Sequence, residues 1–344
     1  MSDDAGITVD VVIPVYNSPE LTQRCIASVI DHLSTDIGNL HVQDDASDLA
    51  TRTMLDALNY PQLCVHHASE NQGYGKSVNE AVSRCTTSLV LVLNSDTEIF
   101  ANFLPLLCAA LVADPELAVI SPVHDHFFRY KPERYQRFPG GYIATYRFQG
   151  YGFLIRRDLF LSLGGFDSAF GRGYFEDTDL GRRLILRDWR LGVHPDAYIR
   201  HHGGASFGRG KSYRQLTRHN RALYLSRYPE VQRNVLLISS CLVLEDLPEL
   251  LTQTINTVLK QGGGVHWLTP DNSVQLSCLQ MRNSRLSFKM IVRLLLRGWS
   301  RKDKRITAVW VVSGIPKVLS GMLYLLAHLR RLEWQVWRPE QKLS

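Results

Sequence analysis

No Cys-x-x-Cys pair occurs among the six cysteines, which are scattered along the chain. A zinc ribbon or a disulfide framework needs paired spacings, so reduced thiols of a cytosolic protein are expected. The opening Met-Ser-Asp-Asp-Ala-Gly is acidic and polar, without an apolar run behind a basic start, and no secretory signal is expected. Long apolar runs are also missing. The most apolar late stretch, Ile306 to Leu329, is interrupted by Pro316, Lys317 and His328, and its uncharged run before Lys317 is 11 residues. That is about 16 Å of helix against a hydrocarbon core of about 30 Å. An interfacial hairpin, or packing on a partner, is expected there in place of a bilayer span. Glycine-rich nucleotide signatures are absent too. Pro-Val-Tyr-Asn-Ser-Pro stands where a dinucleotide site has Gly-x-Gly-x-x-Gly, and Glu70 stands where a phosphate loop ending in Gly75-Lys76-Ser77 needs glycine. No base-reading module accompanies the basic residues, so no nucleic-acid partner is expected.

What remains is ordinary soluble composition, 45% hydrophobic and 21% charged over 344 residues, enough for one large domain and an appendage, or two domains. The net charge of +6 hides an asymmetry. Residues 1–210 carry 18 Lys and Arg against 25 Asp and Glu, a balance of −7, whereas residues 211–344 carry 21 against 8, a balance of +13. The front reads as an enzyme body and the back as a surface for an anionic partner.

The order of the front half is strand, helix, strand, helix with short links. Val9-Asp-Val-Val-Ile-Pro-Val-Tyr-Asn17 reads as a buried strand opening into a loop, and a helix starts near Pro19. A strand at 40–43 ends in Asp44-Asp45, a helix covers 51–58 and a strand 63–67. Asn71-Gln-Gly-Tyr-Gly then feeds a helix, as a plain turn or as backbone N–H groups for a phosphate or sugar. Leu89 to Leu93 is a buried strand with Asn94-Ser95-Asp96 at its carboxyl end. Those oxygens suit either an Asx turn or a hard divalent cation holding a diphosphate. This alternation predicts a doubly wound α/β sheet binding its ligand at the carboxyl ends of the strands.

Later, Gly164-Gly-Phe-Asp167 makes a tight turn. Glu176, Asp177 and Asp179 precede Leu180, Leu184 and Ile185 at helical spacing, which puts the acids in a first helical turn. Such acids complement the helix dipole in many ordinary helices, or they form a catalytic cluster. Asp179 is expected to pair with Arg182 or Arg183. Arg200-His201-His202-Gly203 places two histidines in a glycine-rich turn.

Ile13-Pro-Val-Tyr-Asn17, Asp44-Asp45-Ala-Ser, Asn71-Gln-Gly-Tyr-Gly, Asn94-Ser-Asp96, Gly164-Gly-Phe-Asp167 and Phe175-Glu-Asp177 resemble the motifs of family 2 glycosyltransferases, in that family's order, over about residues 7–210. The subgroup that is most similar builds bacterial surface polysaccharides such as O-antigen or capsule, with rhamnosyl- and galactofuranosyl-type enzymes. The resemblance implies a GT-A fold, a metal-dependent hexosyl or deoxyhexosyl transfer with inversion, and a UDP-, dTDP- or GDP-linked sugar donor. It puts Pro14, Val15 and Tyr16 against the nucleotide base, with Asp45 bonding it. It also puts Gly73, Asn94 and Ser95 on the donor and makes Asp96 the ligand of Mn²⁺ or Mg²⁺. Asn94 replaces the first acid of the family's Asp-x-Asp. His201, with His202 as fallback, is implied as a further metal ligand. Asp177 is implied as the base, and Glu176 as the residue orienting a lipid-linked or growing glycan acceptor.

The aromatic and basic run His124-Asp-His-Phe-Phe-Arg-Tyr-Lys-Pro-Glu-Arg-Tyr-Gln-Arg is expected to be a loop near the diphosphate or acceptor. The GT-A domain is expected to span 1–228, with a basic α/β or helical appendage over 229–344. A βαβ unit is expected from Val235 to Pro270, similar to a remnant of a GT-B enzyme. Over 282–301, Arg285, Lys289, Arg293, Arg297 and Arg301 recur every fourth residue, opposite Phe288, Ile291, Leu295 and Trp299. That pattern predicts a basic amphipathic helix on the inner face of the cell membrane. The protein is thus expected to be cytoplasmic and peripheral. A rival expectation is a non-catalytic GT-A subunit tethering a partner glycosyltransferase to the membrane.

Overall fold

The computed structural model describes residues 7–203, 210–296, 305–312 and 314–338. The chain divides into two compact units, one of residues 1–130, 137–143 and 147–224, the other of 131–136, 144–146 and 225–344.

The first unit runs β1 (Val9–Val15), α1 (Pro19–Leu33), β2 (Ile37–Asp44), α2 (Leu49–Asp56), β3 (Leu63–His67), α3 (Tyr74–Arg84) and β4 (Leu89–Leu93). It continues with β5 (Thr97–Ile99), α4 (Leu104–Ala113), β6 (Leu117–Val123), β7 (Ile143–Thr145), β8 (Gly152–Arg156) and α5 (Arg157–Ser162). It ends with α6 (Glu176–Ile185), β9 (Arg190–His201) and α7 (Lys211–Arg227). The sheet order is β3-β2-β1-β4-β8-β6-β9-β5, with β7 pairing β9 off that path. Strands β3, β2, β1 and β4 are parallel, whereas β8 runs antiparallel to both β4 and β6. The β1 and β4 strands are apolar along their length because helices cover both faces of a parallel sheet, and every residue of both is buried. Helix α1 starts at Pro19, whose ring fits the first turn, and turns Cys25, Ile26, Val29 and Leu33 inward at helical spacing. The doubly wound mixed sheet expected from the sequence is the observed fold.

The second unit has its own sheet, entirely parallel, in the order β12-β11-β10-β13-β14. Its elements are β10 (Asn234–Ile238), α8 (Glu249–Lys260), β11 (Gly264–Thr269), β12 (Met281–Arg285), α9 (Phe288–Leu296), β13 (Ala308–Val312), α10 (Lys317–Leu329) and β14 (Glu333–Trp337). Trp267 and Trp310 are fully buried in it.

Two expectations fail here. The basic helix over 282–301 does not form as one element, because the main chain from Met281 to Arg285 pairs with Val265 to Thr269, putting Arg285 in a strand. Strand pairing overrides the four-residue cation spacing, and the helix begins only at Phe288. Arg297, Trp299 and Arg301, like residues 204–206 of the histidine turn, lie outside the described residues. Likewise, Ile306 to Leu329 is no interfacial hairpin. Its first part is β13, buried throughout, and its second is α10. No helix among the described residues is long and apolar enough to cross a membrane.

Candidate active site

The carboxyl ends of β1 and β2 are tied together first. Asp45 N–H donates to Val15 O at 2.8 Å, and both Asp45 carboxylate oxygens accept backbone N–H groups, from Gln72 at 2.6 Å and Gly73 at 2.8 Å. Burial, against those bonds, still raises its pKa. Asp45 therefore braces the loop that feeds α3. Gly73 has φ of +90°, and a Cβ on it would lie 2.4 Å from the Arg172 Cα, so only glycine fits. A cavity of about 340 Å³ opens here, lined by Pro14, Val15, Tyr16, Asp45, Gly73 and Tyr74, with Asn71, Arg172, Tyr174 and Leu216 around them. The residues expected to meet the nucleotide base thus share one cavity.

The second cluster forms at the end of β4. Strand β5 pairs antiparallel with the end of β9, Thr97 opposite His201, and this register brings the imidazole of His201 to 3.2 Å from Asp96 Oδ1. His202 turns to Glu98, at 3.2 Å. Asp96 and Ser95 are buried, and the side-chain oxygen of Asn94 is buried with no hydrogen-bond partner. One carboxylate, one imidazole and one unsatisfied amide oxygen make a donor set that fits a divalent cation.

The third cluster begins α6. The three residues before it hold left-handed or otherwise positive φ: Gly173 at +145°, Tyr174 at +72° and Phe175 at +77°. For residues with a Cβ this costs about 1–2 kcal/mol each. Asn220 of α7 offsets the strain, its side-chain N–H groups reaching the carbonyls of Phe170 and Gly173 at 2.7 Å and of Tyr174 at 3.0 Å. The helix start so fixed presents Glu176 and Asp177. Burial first, then the neighbouring Asp177, pushes the Glu176 carboxyl up to about 8, and one of its oxygens has no hydrogen-bond partner. Burial also raises Asp177, against bonds from the Thr178 N–H at 2.6 Å and its hydroxyl at 3.1 Å. A helix N-terminus favours carboxylates, so burial outweighs the dipole here. Asp179 is different: Arg183 Nε sits 2.7 Å from it, the ion pair expected from spacing.

Two consecutive residues join the second and third clusters. A Cβ on Gly150 would fall 2.4 Å from Asp177 Oδ2, and the Gly150 carbonyl accepts the Tyr74 hydroxyl at 3.1 Å. The Tyr151 carbonyl accepts the Asn94 N–H at 3.0 Å, and the Tyr151 ring stacks on His201 with centroids 5.5 Å apart. Adjacent Cα atoms are about 3.8 Å apart, so Asp177 and the Asp96–His201 pair flank the same two residues of the chain. The Tyr74 hydroxyl is raised well above its usual range by burial and then by the charges of Glu176, Asp177 and Asp96.

Asn71 and Tyr74 stand in the Asn71-Gln-Gly-Tyr-Gly motif without being singled out, whereas Gly150 and Asn220 carry no signal in the sequence. The aromatic and basic loop divides. His124 lies 6.1 Å from His201, ring to ring, whereas Lys131–Gln136 belong to the second unit, where Arg134 bonds Asn283 at 2.9 Å.

Residues 10–177 match the family described as Glycosyl transferase family 2. Among solved structures, a mannosyltransferase, PcManGT from Pyrobaculum calidifontis, in complex with GDP-Man and Mn²⁺, is 21% identical with a TM-score of 0.48, covering 64% of this chain and 63% of its own. GalNAc-T7 with UDP, GalNAc and Mn²⁺ is 14% identical with a TM-score of 0.50, covering 66% and 51%. S. aureus TarS 1–349 is 18% identical with a TM-score of 0.46, covering 63% and 65%. This chain thus spans less than two thirds of each of those chains. No curated protein matches it. At these identities the likeness to solved structures is one of fold: residues 10–177, just under half of the chain, match the description Glycosyl transferase family 2 and lie on a sheet of the GT-A kind.

Proposed function

We propose that the first unit moves a sugar from a nucleoside-diphosphate sugar to an acceptor hydroxyl with inversion at the anomeric carbon. One observation carries this reading: Gly150 and Tyr151 join the Asp177 carboxylate to the Asp96–His201 pair, beside a cavity lined by Pro14, Val15 and Tyr16. Asp177 takes the acceptor hydroxyl's proton as that oxygen attacks the anomeric carbon. The new carbon–oxygen bond forms as the bond to the diphosphate breaks, and the nucleoside diphosphate leaves with the electron pair. A single in-line displacement inverts the centre. Glu176, protonated up to about pH 8, donates a hydrogen bond to the acceptor and adds no second charge beside the base. Asp96 and His201, with the Asn94 oxygen, would hold Mn²⁺ or Mg²⁺, which supplies charge to neutralise the departing diphosphate. Asn71, whose side-chain oxygen is buried without a partner, offers the base an acceptor.

The donor is a UDP-, dTDP- or GDP-linked hexose or deoxyhexose. The acceptor is a lipid-linked or growing glycan of the bacterial surface. The second unit carries the anionic-membrane contact. Its α10 exposes Val318, Tyr324, Leu325 and Leu329, and residues 225–344 carry 17 Lys and Arg against 8 Asp and Glu, an excess of 9 positive charges. The test is nucleoside-diphosphate release from a donor panel with Mn²⁺, run with wild type and Asp96→Asn. Release from one donor that falls in the variant supports the reading, and no release from any donor overturns it. Salt-sensitive pelleting with anionic but not neutral vesicles tests the membrane contact.

A further inference from the structure

Far from the carboxyl edge, three buried side chains of different chemistry converge. Asp10 lies near the start of β1, His41 in the middle of β2 and Cys85 just past α3. Helix α3, 11 residues and about 16 Å long, lies between Gly73 and Cys85, so this group sits at the opposite end of that helix from the nucleotide cavity. Their ligand atoms all lie within 4.8 Å of one another. A tetrahedral zinc with bonds of about 2.0–2.3 Å holds its donors about 3.3–3.8 Å apart, so the three atoms would draw in by up to about 1–1.5 Å around it.

His41 is the second observation. It is 5% exposed, yet neither ring nitrogen has a hydrogen-bond partner. Each buried polar atom left unpaired costs about 1–3 kcal/mol, so an imidazole in this state calls for a ligand. Burial, opposed by Asp10 and aided by His66 and Arg84, holds it below its usual range and hence neutral, the ligating form. Asp10 is held rigidly: Oδ1 accepts the Asn39 N–H at 2.8 Å, and Oδ2 accepts those of Thr86 at 2.6 Å and Thr87 at 3.1 Å, with the Thr86 hydroxyl at 3.4 Å. Such outer bonds orient a ligating carboxylate. The Cys85 thiol makes only a weak bond to Ala81 O at 3.5 Å. Arg84, next in sequence to Cys85, bonds the side-chain oxygen of Gln43.

We propose that Asp10, His41 and Cys85 form a buried site for a thiophilic divalent cation of the zinc class, pinning the amino edge of β1 and β2 to the end of α3. A divalent cation with one carboxylate and one thiolate is neutral overall, which is what burial demands. Binding releases the thiol proton to solvent, and three protein ligands leave one tetrahedral position for water. The site is separate from the Asp96–His201 pair, which has no sulfur, and it stands whether or not the proposed transfer does.

The experiment is cobalt titration of the full chain after chelator dialysis. The expected result is a thiolate-to-cobalt charge-transfer band that saturates at one equivalent, is bleached by Zn²⁺, and persists in Asp96→Asn and Cys64→Ser. Cys85→Ser should abolish the band, and His41→Gln should weaken cobalt binding by about tenfold or more. Absence of the band in wild type, or its survival in Cys85→Ser, overturns the site whatever the variants' stability. A melting temperature unchanged by Zn²⁺, with no band, would mean that a bridging water satisfies His41.

Discussion

The two sheets obey one topological rule and differ in what they place at its focus. Both are wound so that the strand order reverses between two parallel neighbours, where the carboxyl ends of an open α/β sheet form a crevice. In the first sheet those ends carry Asp45 and Asp96, joined by His201 and by Glu176 and Asp177. Several of their polar atoms are raised in pKa or lack partners. In the second sheet, among the described residues, the polar groups past β10 and at the end of β11 are consumed by the fold. Ser239 Oγ, past the end of β10, accepts the Trp267 indole N–H at 2.8 Å, and Thr269 Oγ1, at the end of β11, accepts the Asn283 amide at 2.7 Å. The teaching is that architecture offers a crevice and only unsatisfied, titratable side chains make it chemical.

The sharpest way to break this contrast is Asp177→Asn. The variant keeps the shape and removes the base, so transfer should fall about 100- to 10,000-fold with donor KM little changed. Full activity would put the base elsewhere. Next is Gly150→Ala, whose methyl would press on Asp177 Oδ2. Displacing a reacting group by about 1 Å costs about 100-fold, so kcat should drop by that order while the melting temperature moves little.

How much of this was legible before the fold was known follows from the same contrast. Strands β1 and β4 were readable because burial on both faces demands continuous apolar residues, and the polar groups at the end of β4 stood out against them. The pairing of Asp96 with His201 was not readable from spacing. It depends on β5, three residues long, which has no periodicity to detect. The family resemblance supplied His201, and the β5–β9 register explains it. In the second unit the cation spacing pointed to a helix, and the parallel partnership of β12 with β11, formed by residues far away in sequence, prevailed.

Two smaller effects sharpen the first-sheet half. Asn220→Ala leaves three carbonyls of a strained segment without their donor. Stability should fall by about 1–3 kcal/mol and kcat more than KM, read by thermal melts and steady-state kinetics. Glu176 gives a pH signature. Its folded carboxyl is pushed up to about 8 while the unfolded one keeps the ordinary value of 4.5, so between these the folded chain holds a proton the unfolded chain has lost. Stability therefore declines as pH rises through that window. Glu176→Gln should flatten the slope of melting temperature against pH from 5 to 8, and an unchanged slope would mean that the carboxyl is not held protonated.

The smallest effect on transfer is expected from the second sheet, and it makes the comparison decisive. Ser239→Ala removes a hydroxyl just past β10, the strand that holds the place of β1 at the reversal of strand order. The hydroxyl's partner is the buried Trp267 indole, so its loss should cost about 1–3 kcal/mol of stability. Since that group already has its partner, kcat and KM should stay at wild-type values when measured below the melting transition. A large kinetic defect with unchanged stability would show the second crevice to be chemically active, and the distinction drawn between the two sheets would fail. The reverse outcome ties function to the unsatisfied carboxylates of the first sheet, because a strand-end side chain acts on a ligand only if folding has left it free to do so.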